Sequence, residues 1–216
     1  MAEPEPFRFY TEKHLIVLTG LRARNLPELL RHLETVPDTC IFHHTHSHYL
    51  SHHFEKPLVY NEFAAWVSHA LQEKRLAEQL AAVDLFSFTS IRDLRADLVK
   101  TVNRFLQESG GKLRESPSGD EFHFAKSKSF ILPTRLQART VSDFRRILPH
   151  ITSMSLYFHF FEARLRLEKR TNDFSAWLSS IGESELAERI DRLNPYDYTL
   201  DELKEKIIEL AEGSRR

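Results

Sequence analysis

Three features that often indicate the class of a protein are scarce or missing in this sequence: cysteine, an excess of charge of one sign, and long apolar runs. With one cysteine, Cys40, in 216 residues, the chain can form no intrachain disulfide and no cysteine-based zinc finger. Thirty basic and thirty-one acidic side chains give a formal net charge of −1, so the basic excess typical of nucleic-acid binding is missing. No apolar stretch is as long as a membrane span, and the N-terminus lacks the basic start and apolar core of a signal peptide. We therefore expect a cytoplasmic protein that binds neither nucleic acid nor a membrane.

The sequence contains two similar copies of one pattern. A constant shift of 115 residues aligns FRFYTEKHLIVLTGLRAR, which begins at Phe7, with FHFAKSKSFILPTRLQAR, which begins at Phe122. The same shift pairs His44 with His159. After four positions are dropped, a shift of 111 residues aligns NEFAAWVS with NDFSAWLS. Collinear matches along both halves of a chain indicate an internal duplication.

The segment between the copies defines the predicted organisation. SGGKLRESPSG, residues 109–119, carries three of the six glycines, which is typical of a flexible linker. Copy 1 then covers residues 7–107 and contains the histidine-rich helix, and copy 2 covers residues 122–212. Helical spacing of apolar residues dominates both copies. The predicted fold is mainly α, with two tandem copies of a multi-helix unit related by pseudo-twofold symmetry and at most minor short β strands at the start of each copy.

The stretch HHTHSHYLSHH, residues 43–53, holds six of the twelve histidines. On an α-helix, residues four apart lie on one face, so His44, His48 and His52 would form a stripe that could chelate a divalent transition metal with one further ligand. A hydrogen-bonded or water-lined polar pocket and a solvated helix face are the alternatives, and no metal signature such as HExxH is present. The histidines that point away from this stripe are predicted to be exposed: His43, His46 and His53.

Copy 2 keeps one histidine at the equivalent position, His159. Glu162 follows it by three residues, and the two side chains could share a proton or help to hold a metal. Alternatively, Glu162 pairs with Arg166 on the helix surface and His159 is a core histidine with its hydrogen bonds satisfied.

The motif N-[ED]-F-[AS]-A-W occurs once in each copy. Asn61 and Asn172 suit helix N-caps, and each is followed by a carboxylate in the positively polarised first turn. The aromatic residues that end the motif, Trp66 and Trp177, either anchor the core or form the floor of a ligand pocket.

Taken together, these motifs resemble an uncharacterised bacterial family of duplicated helical proteins, filed as a domain of unknown function. The likeness rests on FHHTHSHYLSHH, on the NEFAAWV and NDFSAWL pair, on KSKSFILPT and on SLYFHFFEARLRL, and it covers nearly the whole chain. Such a family implies no activity, substrate or catalytic residue. Its members look like proteins encoded beside or fused to sugar-transferring enzymes, which implies an accessory role.

Two classes of function follow from the sequence. The leading hypothesis is a non-enzymatic binding or accessory module for a partner protein or a small ligand, with no indication of its oligomeric state. The alternative is a metal-binding protein or metal-dependent enzyme that uses His44, His48 and His52. A nucleophilic hydrolase is disfavoured because no GxSxG motif is present. The candidate ligand-binding residues are His44, His48, His159, Glu162, Trp66 and Trp177.

Overall fold

Two long strands pair with each other and precede the two series of helices. The computed structural model describes residues 5–47, 61–109, 114–168 and 170–213. In it, β1 (Phe7–Ala23) and β2 (Phe122–Ala138) are each 17 residues long and pair as an antiparallel two-stranded sheet. The fold is therefore α/β, and the prediction of a mainly α protein with minor short strands was wrong.

The reason for this error lies in the composition of the strands. Gly20 has a positive φ of 77° inside β1, and Pro133 lies inside β2. Both residues usually interrupt a strand, so the sequence pattern indicates short fragments where the chain continues in extended conformation. The second half of each strand also lacks the alternation of apolar and polar residues that marks a half-buried strand, because apolar side chains are exposed there on successive residues.

The helices follow the strands in two series. After β1 come α1 (Leu26–Thr35), α2 (Asp38–Phe42), a π-helical turn (His43–Ser47), α3 (Glu62–His69), α4 (Lys74–Ala81), a 3₁₀ turn (Leu85–Ser87) and α5 (Ile91–Glu108). After β2 come α6 (Val141–Ile147), a 3₁₀ turn (Leu148–His150), α7 (Ser153–Tyr157), a second π-helical turn (Phe158–Glu162), α8 (Ala163–Leu167), α9 (Asp173–Ser180), α10 (Ser184–Asp191), a 3₁₀ turn (Pro195–Asp197) and α11 (Leu200–Gly213). Within the described ranges, no helix is both long and apolar enough to cross a bilayer.

The predicted N-caps of α3 and α9 are confirmed. The Asn61 side chain accepts a hydrogen bond from the Ala64 amide at 2.8 Å, and the Asn172 side chain accepts one from the Ser175 amide at 2.9 Å. Each cap satisfies one of the backbone N–H groups that a helix leaves unpaired at its N-terminus. The caps fix where α3 and α9 begin, and hence the positions of the carboxylates that follow.

The chain divides into two compact units. The described part of the first unit consists of residues 14–47, 61–109 and 114–128, and that of the second unit consists of residues 5–13, 129–168 and 170–213. Each unit thus combines the helices of one sequence copy with the first half of the strand that opens the other copy. We call this half-strand the inner strand: residues 122–128 in the first unit and residues 7–13 in the second.

The inner strands supply aromatic side chains to the two cores. In the first unit Phe122 and Phe124 are buried beside Phe63, with ring centroids 5.1 and 6.4 Å from it. In the second unit the ring of Phe9 stacks on that of Phe144 at 6.2 Å. Because aromatic side chains bury large areas, each helical core is completed by a strand that is distant in the sequence.

Candidate functional site

His44 connects a helix, a carboxylate and the inner strand of the first unit. Its Nδ1 lies 2.7 Å from Glu62 Oε2, and its Nε2 accepts a hydrogen bond from the Ala125 backbone amide at 2.9 Å. The side chain is 2% exposed, and Glu62 is the residue that follows the N-cap of α3. We call this arrangement the first histidine clasp.

The second unit contains a matching clasp. His159 Nδ1 lies 2.7 Å from Asp173 Oδ2, and Nε2 accepts a hydrogen bond from the Tyr10 amide at 2.8 Å. The Tyr10 carbonyl also accepts a hydrogen bond from the Ser155 hydroxyl at 2.6 Å, so both backbone groups of Tyr10 are bonded to helix side chains. The two ring nitrogens of His159 therefore face Asp173 and the Tyr10 amide. Glu162 is buried in the second π-helical turn, and the Arg166 side chain lies outside the described residues.

The direction of these hydrogen bonds fixes the chemistry of the clasps. A backbone amide can only donate, so Nε2 carries the lone pair and the proton of the neutral ring is on Nδ1, where it is donated to the carboxylate. A catalytic histidine–carboxylate pair has the same Nδ1 arrangement but keeps Nε2 available to take a proton from the nucleophile. In each clasp the strand amide occupies that lone pair. The clasps are therefore built to hold strands in place.

The π-helical turn His43–Ser47 changes the arrangement that was predicted for the histidine stretch. All five of its residues are buried, and His43 and His46 are only 8% and 2% exposed, so the prediction that these two are exposed was wrong. A π turn is wider than an α turn, so residues four apart no longer share one face across it. His48, His52 and His53 lie outside the described residues.

Three side chains of the first unit are close enough together to be considered as a metal site. The donor atoms of His43, His44 and Glu62 all lie within 4.8 Å of one another. A histidine that binds a metal through Nδ1 normally donates its Nε2–H to an acceptor. Here Nε2 of His44 faces the Ala125 amide, which is a donor, so a metal on Nδ1 would require loss of the strand bond or a doubly deprotonated ring. The clasp as folded does not fit a metal ion.

The two tryptophans of the repeated motif lie in different environments. Trp177 is 8% exposed, whereas Trp66 is half-buried and lines a shallow cleft of about 340 Å³ together with His69, Ala70, Asp120 and Glu121. Each indole N–H donates to a backbone carbonyl, that of Asp120 for Trp66 and that of Glu5 for Trp177. The second tryptophan is thus part of the core, and the first combines an anchoring bond with a partly open face.

His46 is the titratable group of this region whose pKa is most clearly perturbed. Burial lowers the pKa of His46 from 6.5 to about 4, and a hydrogen bond with the Leu85 backbone opposes the shift. Its ring stacks on Phe42, with the centroids 5.4 Å apart, and meets the ring of Phe86 edge-on. An aromatic surround favours the neutral form because it cannot replace the hydration of a charged imidazole.

We expect this burial to make stability depend on pH. The unfolded chain takes up a proton at His46 near pH 6.5, whereas the folded chain does so only near pH 4, so stability is fully present above pH 6.5 and falls as the pH drops toward 4. The loss attributable to His46 is about 3 kcal/mol at completion. Urea unfolding of the wild type and of His46→Gln between pH 7.5 and pH 4.5 measures it, and the difference between the two curves should shrink as the pH falls. Parallel curves would contradict the prediction.

The carboxylates of the clasps are the functional residues that sequence reasoning missed. Glu62 and Asp173 were interpreted only as first-turn acids that interact with the helix dipole. A usable signal was nevertheless present, because the two copies keep an acid at these positions and a histidine at 44 and 159. A histidine and an acid retained together in both copies of a repeat indicate a side-chain pair.

With this geometry in view, comparison with known proteins shows the family. Residues 4–212 match the family of unknown function DUF5752. The chain belongs to this family. The DUF5752 chain is also similar to a solved structure described as the structure of OrfY from Thermoproteus tenax, at 26% sequence identity and a TM-score of 0.82. That likeness covers 98% of this chain and 96% of the other. No curated protein matches the chain.

Proposed function

We propose that this protein is a non-enzymatic accessory module of the cytoplasm that binds a protein partner along an exposed strand. The observation that carries the proposal is the exposure of large apolar side chains on residues 14–23 of β1, a segment that we call the β1 edge. Leu15, Ile16, Leu18 and Leu21 are 54%, 59%, 77% and 39% exposed. Several large apolar side chains exposed on one short segment are typical of an interaction site.

The geometry of the β1 edge favours an extended polypeptide over a compact ligand. The β1 edge pairs with β2 on one side, and no third strand borders it among the residues that the structure describes. The outer side of such a strand presents a row of backbone donors and acceptors, which an added strand pairs with directly. Leu15 and Ile16 are adjacent and so point to opposite faces, where the side chains of a bound segment could cover both.

The second unit carries a related exposed segment. Phe130, Ile131 and Leu132 of β2 are 45%, 50% and 48% exposed. A shift of 115 residues relates Phe130 and Ile131 to Leu15 and Ile16, so both copies of the proposed duplication place apolar residues at equivalent exposed strand positions. The presence of exposed apolar residues at equivalent positions of β1 and β2 supports a binding role for both segments.

The state of the clasp histidines supports the non-enzymatic part of the proposal. The lone pairs of His44 and His159 are bonded to backbone amides, so neither ring is available as a general base in this conformation. The family resemblance suggests sugar-transferring enzymes as the first partners to examine. In that role the module would position or stabilise the enzyme and take no part in bond making.

Site-specific photo-crosslinking in the source cells tests the proposal. A photoreactive phenylalanine derivative at Leu18 should give one discrete crosslinked product, and the same residue at Arg104, an exposed position on α5 of the same unit, should give none. Ile16→Asp in the Leu18 derivative should abolish the product, because a charge would have to be buried in the contact. Equal crosslinking from Leu18 and Arg104 would contradict the proposal.

A further inference from the structure

We propose that the segment bound at the β1 edge is an extended apolar strand flanked by acidic side chains. This inference rests on the proposed function and specifies the chemistry of the partner. Residues 14–24 and 122–128, which comprise the paired strand segments of the first unit and the residue that follows β1, contain no aspartate or glutamate. They contain several basic residues that are exposed: Arg22, Arg24, Lys126 and Lys128.

Two of these cations are available to a partner. Arg24 already lies 3.7 Å from Glu28 across an i,i+4 ion pair. A hydrogen bond from its own backbone amide is the main reason that the pKa of the Glu121 carboxyl is lowered, and the nearby charge of Arg22 adds to the shift. Within the described ranges, however, neither Arg22 nor Lys126 lies within ion-pair distance of a carboxylate. An anion on a bound strand would therefore meet cations that the fold itself leaves largely uncompensated.

Arg22 lies on the β1 edge itself, and Lys126 lies on the paired strand, next to the residue that hydrogen-bonds His14 at the other end of the edge. Arg22 directly follows Leu21 near the end of the β1 edge, so it is placed beside one terminus of a segment that covers the exposed leucines. Lys126 is exposed on the paired strand, between the buried residues Ala125 and Ser127. The apolar centre with basic surroundings predicts a ligand with an apolar centre and acidic ends.

The same charges argue against self-association through this edge. Addition of a second copy would bring together two sheets whose paired strands in the first unit carry basic residues and no acidic ones. Such an arrangement is unfavourable because like charges on neighbouring strands repel. A foreign acidic segment therefore suits the β1 edge better than a second copy of this chain does.

Binding of synthetic peptides to the full chain tests this inference. Two fluorescent peptides share a core of alternating valine and threonine, and differ in having two glutamates or two lysines at each end. The glutamate peptide should bind about 10-fold more tightly by anisotropy at low salt, a difference of about 1.4 kcal/mol. The preference should weaken as salt is added, because exposed charges are screened. The double variant Arg22→Glu, Lys126→Glu should reverse the preference.

Matched variants separate the charge from the docking surface. Lys100→Glu with Arg104→Glu makes the same charge change on α5 of the first unit and should leave the preference intact. Leu18→Asp should abolish binding of both peptides. Equal binding of the two peptides by the wild type would overturn the acidic preference but not the proposed binding at the β1 edge. Binding that Leu18→Asp leaves unchanged would overturn both the acidic preference and the proposed binding at the β1 edge. Failure of the glutamate peptide to bind, or a dimer in sedimentation velocity that Leu18→Asp dissociates, also overturns the inference.

Discussion

Replacement of Trp177 by alanine is expected to lower the free energy of unfolding by about 3–5 kcal/mol. The indole is 8% exposed and lies between Phe7 and Phe144, with ring centroids 5.5 and 5.8 Å away. Its N–H donates to the Glu5 carbonyl at 3.2 Å, so the substitution also removes a hydrogen bond to the segment that leads into the inner strand. Urea unfolding followed by far-ultraviolet circular dichroism measures the loss.

Trp66→Ala is the matched comparison. Trp66 contacts Phe122 at 5.7 Å and donates to the Asp120 carbonyl, but it is half-buried and one side faces the cleft. Because the free energy gained from an apolar side chain scales with the area removed from water, we expect a loss of about 2 kcal/mol. Equal losses in the two variants would show that the different exposure of the two rings has no energetic consequence.

The second large effect is expected at the clasps. His159→Leu should destabilise the protein by about 3 kcal/mol, because it removes the acceptor of the Tyr10 amide and the Nδ1 donor to Asp173 inside the second unit. His44→Leu should cost about 2 kcal/mol, because its carboxylate, Glu62, is 35% exposed and can turn to water, whereas Asp173 is 16% exposed. Chemical unfolding gives both values.

A conservative variant and a chelator serve as controls for this experiment. Asp173→Asn keeps an oxygen that can accept the Nδ1 proton of His159, so its effect should be smaller than that of His159→Leu. Addition of a chelator should leave the melting temperature of the wild type unchanged, since the clasp as folded does not fit a metal ion. A chelator-dependent fall in the melting temperature that disappears in His44→Leu would restore the metal interpretation.

Local signals in the sequence were sufficient for the helices. Glu62–His69 and Ile91–Glu108 begin after capping residues, and both they and Lys74–Ala81 have apolar residues at helical spacing. Both signals are properties of neighbouring residues. Their ends could be predicted because they depend little on the rest of the fold.

The strands, and the way in which each inner strand completes the core of the other copy's helices, depend on contacts that are distant in the sequence. Nothing in FRFY or FHFA indicates that each segment completes the core formed by the other copy's helices. The exposed leucines of the β1 edge contradict the usual rule that a run of apolar residues is buried, so this surface could not be located from hydrophobicity alone. The role of His44 became clear only with its partners, Glu62 and Ala125, which lie 18 and 81 residues away.

The exchange of inner strands has a consequence for how the protein is made. Residues 122–128, which complete the first unit, are synthesised only after all the described helices of that unit. Until then the nascent helices of copy 1 expose the apolar side chains that Phe122 and Phe124 later cover, and such surface is prone to aggregation. A gene divided in the linker would give two fragments that each lack an inner strand, and each fragment could complete its core only by combining with the other. The two copies are therefore obligate partners within one polypeptide.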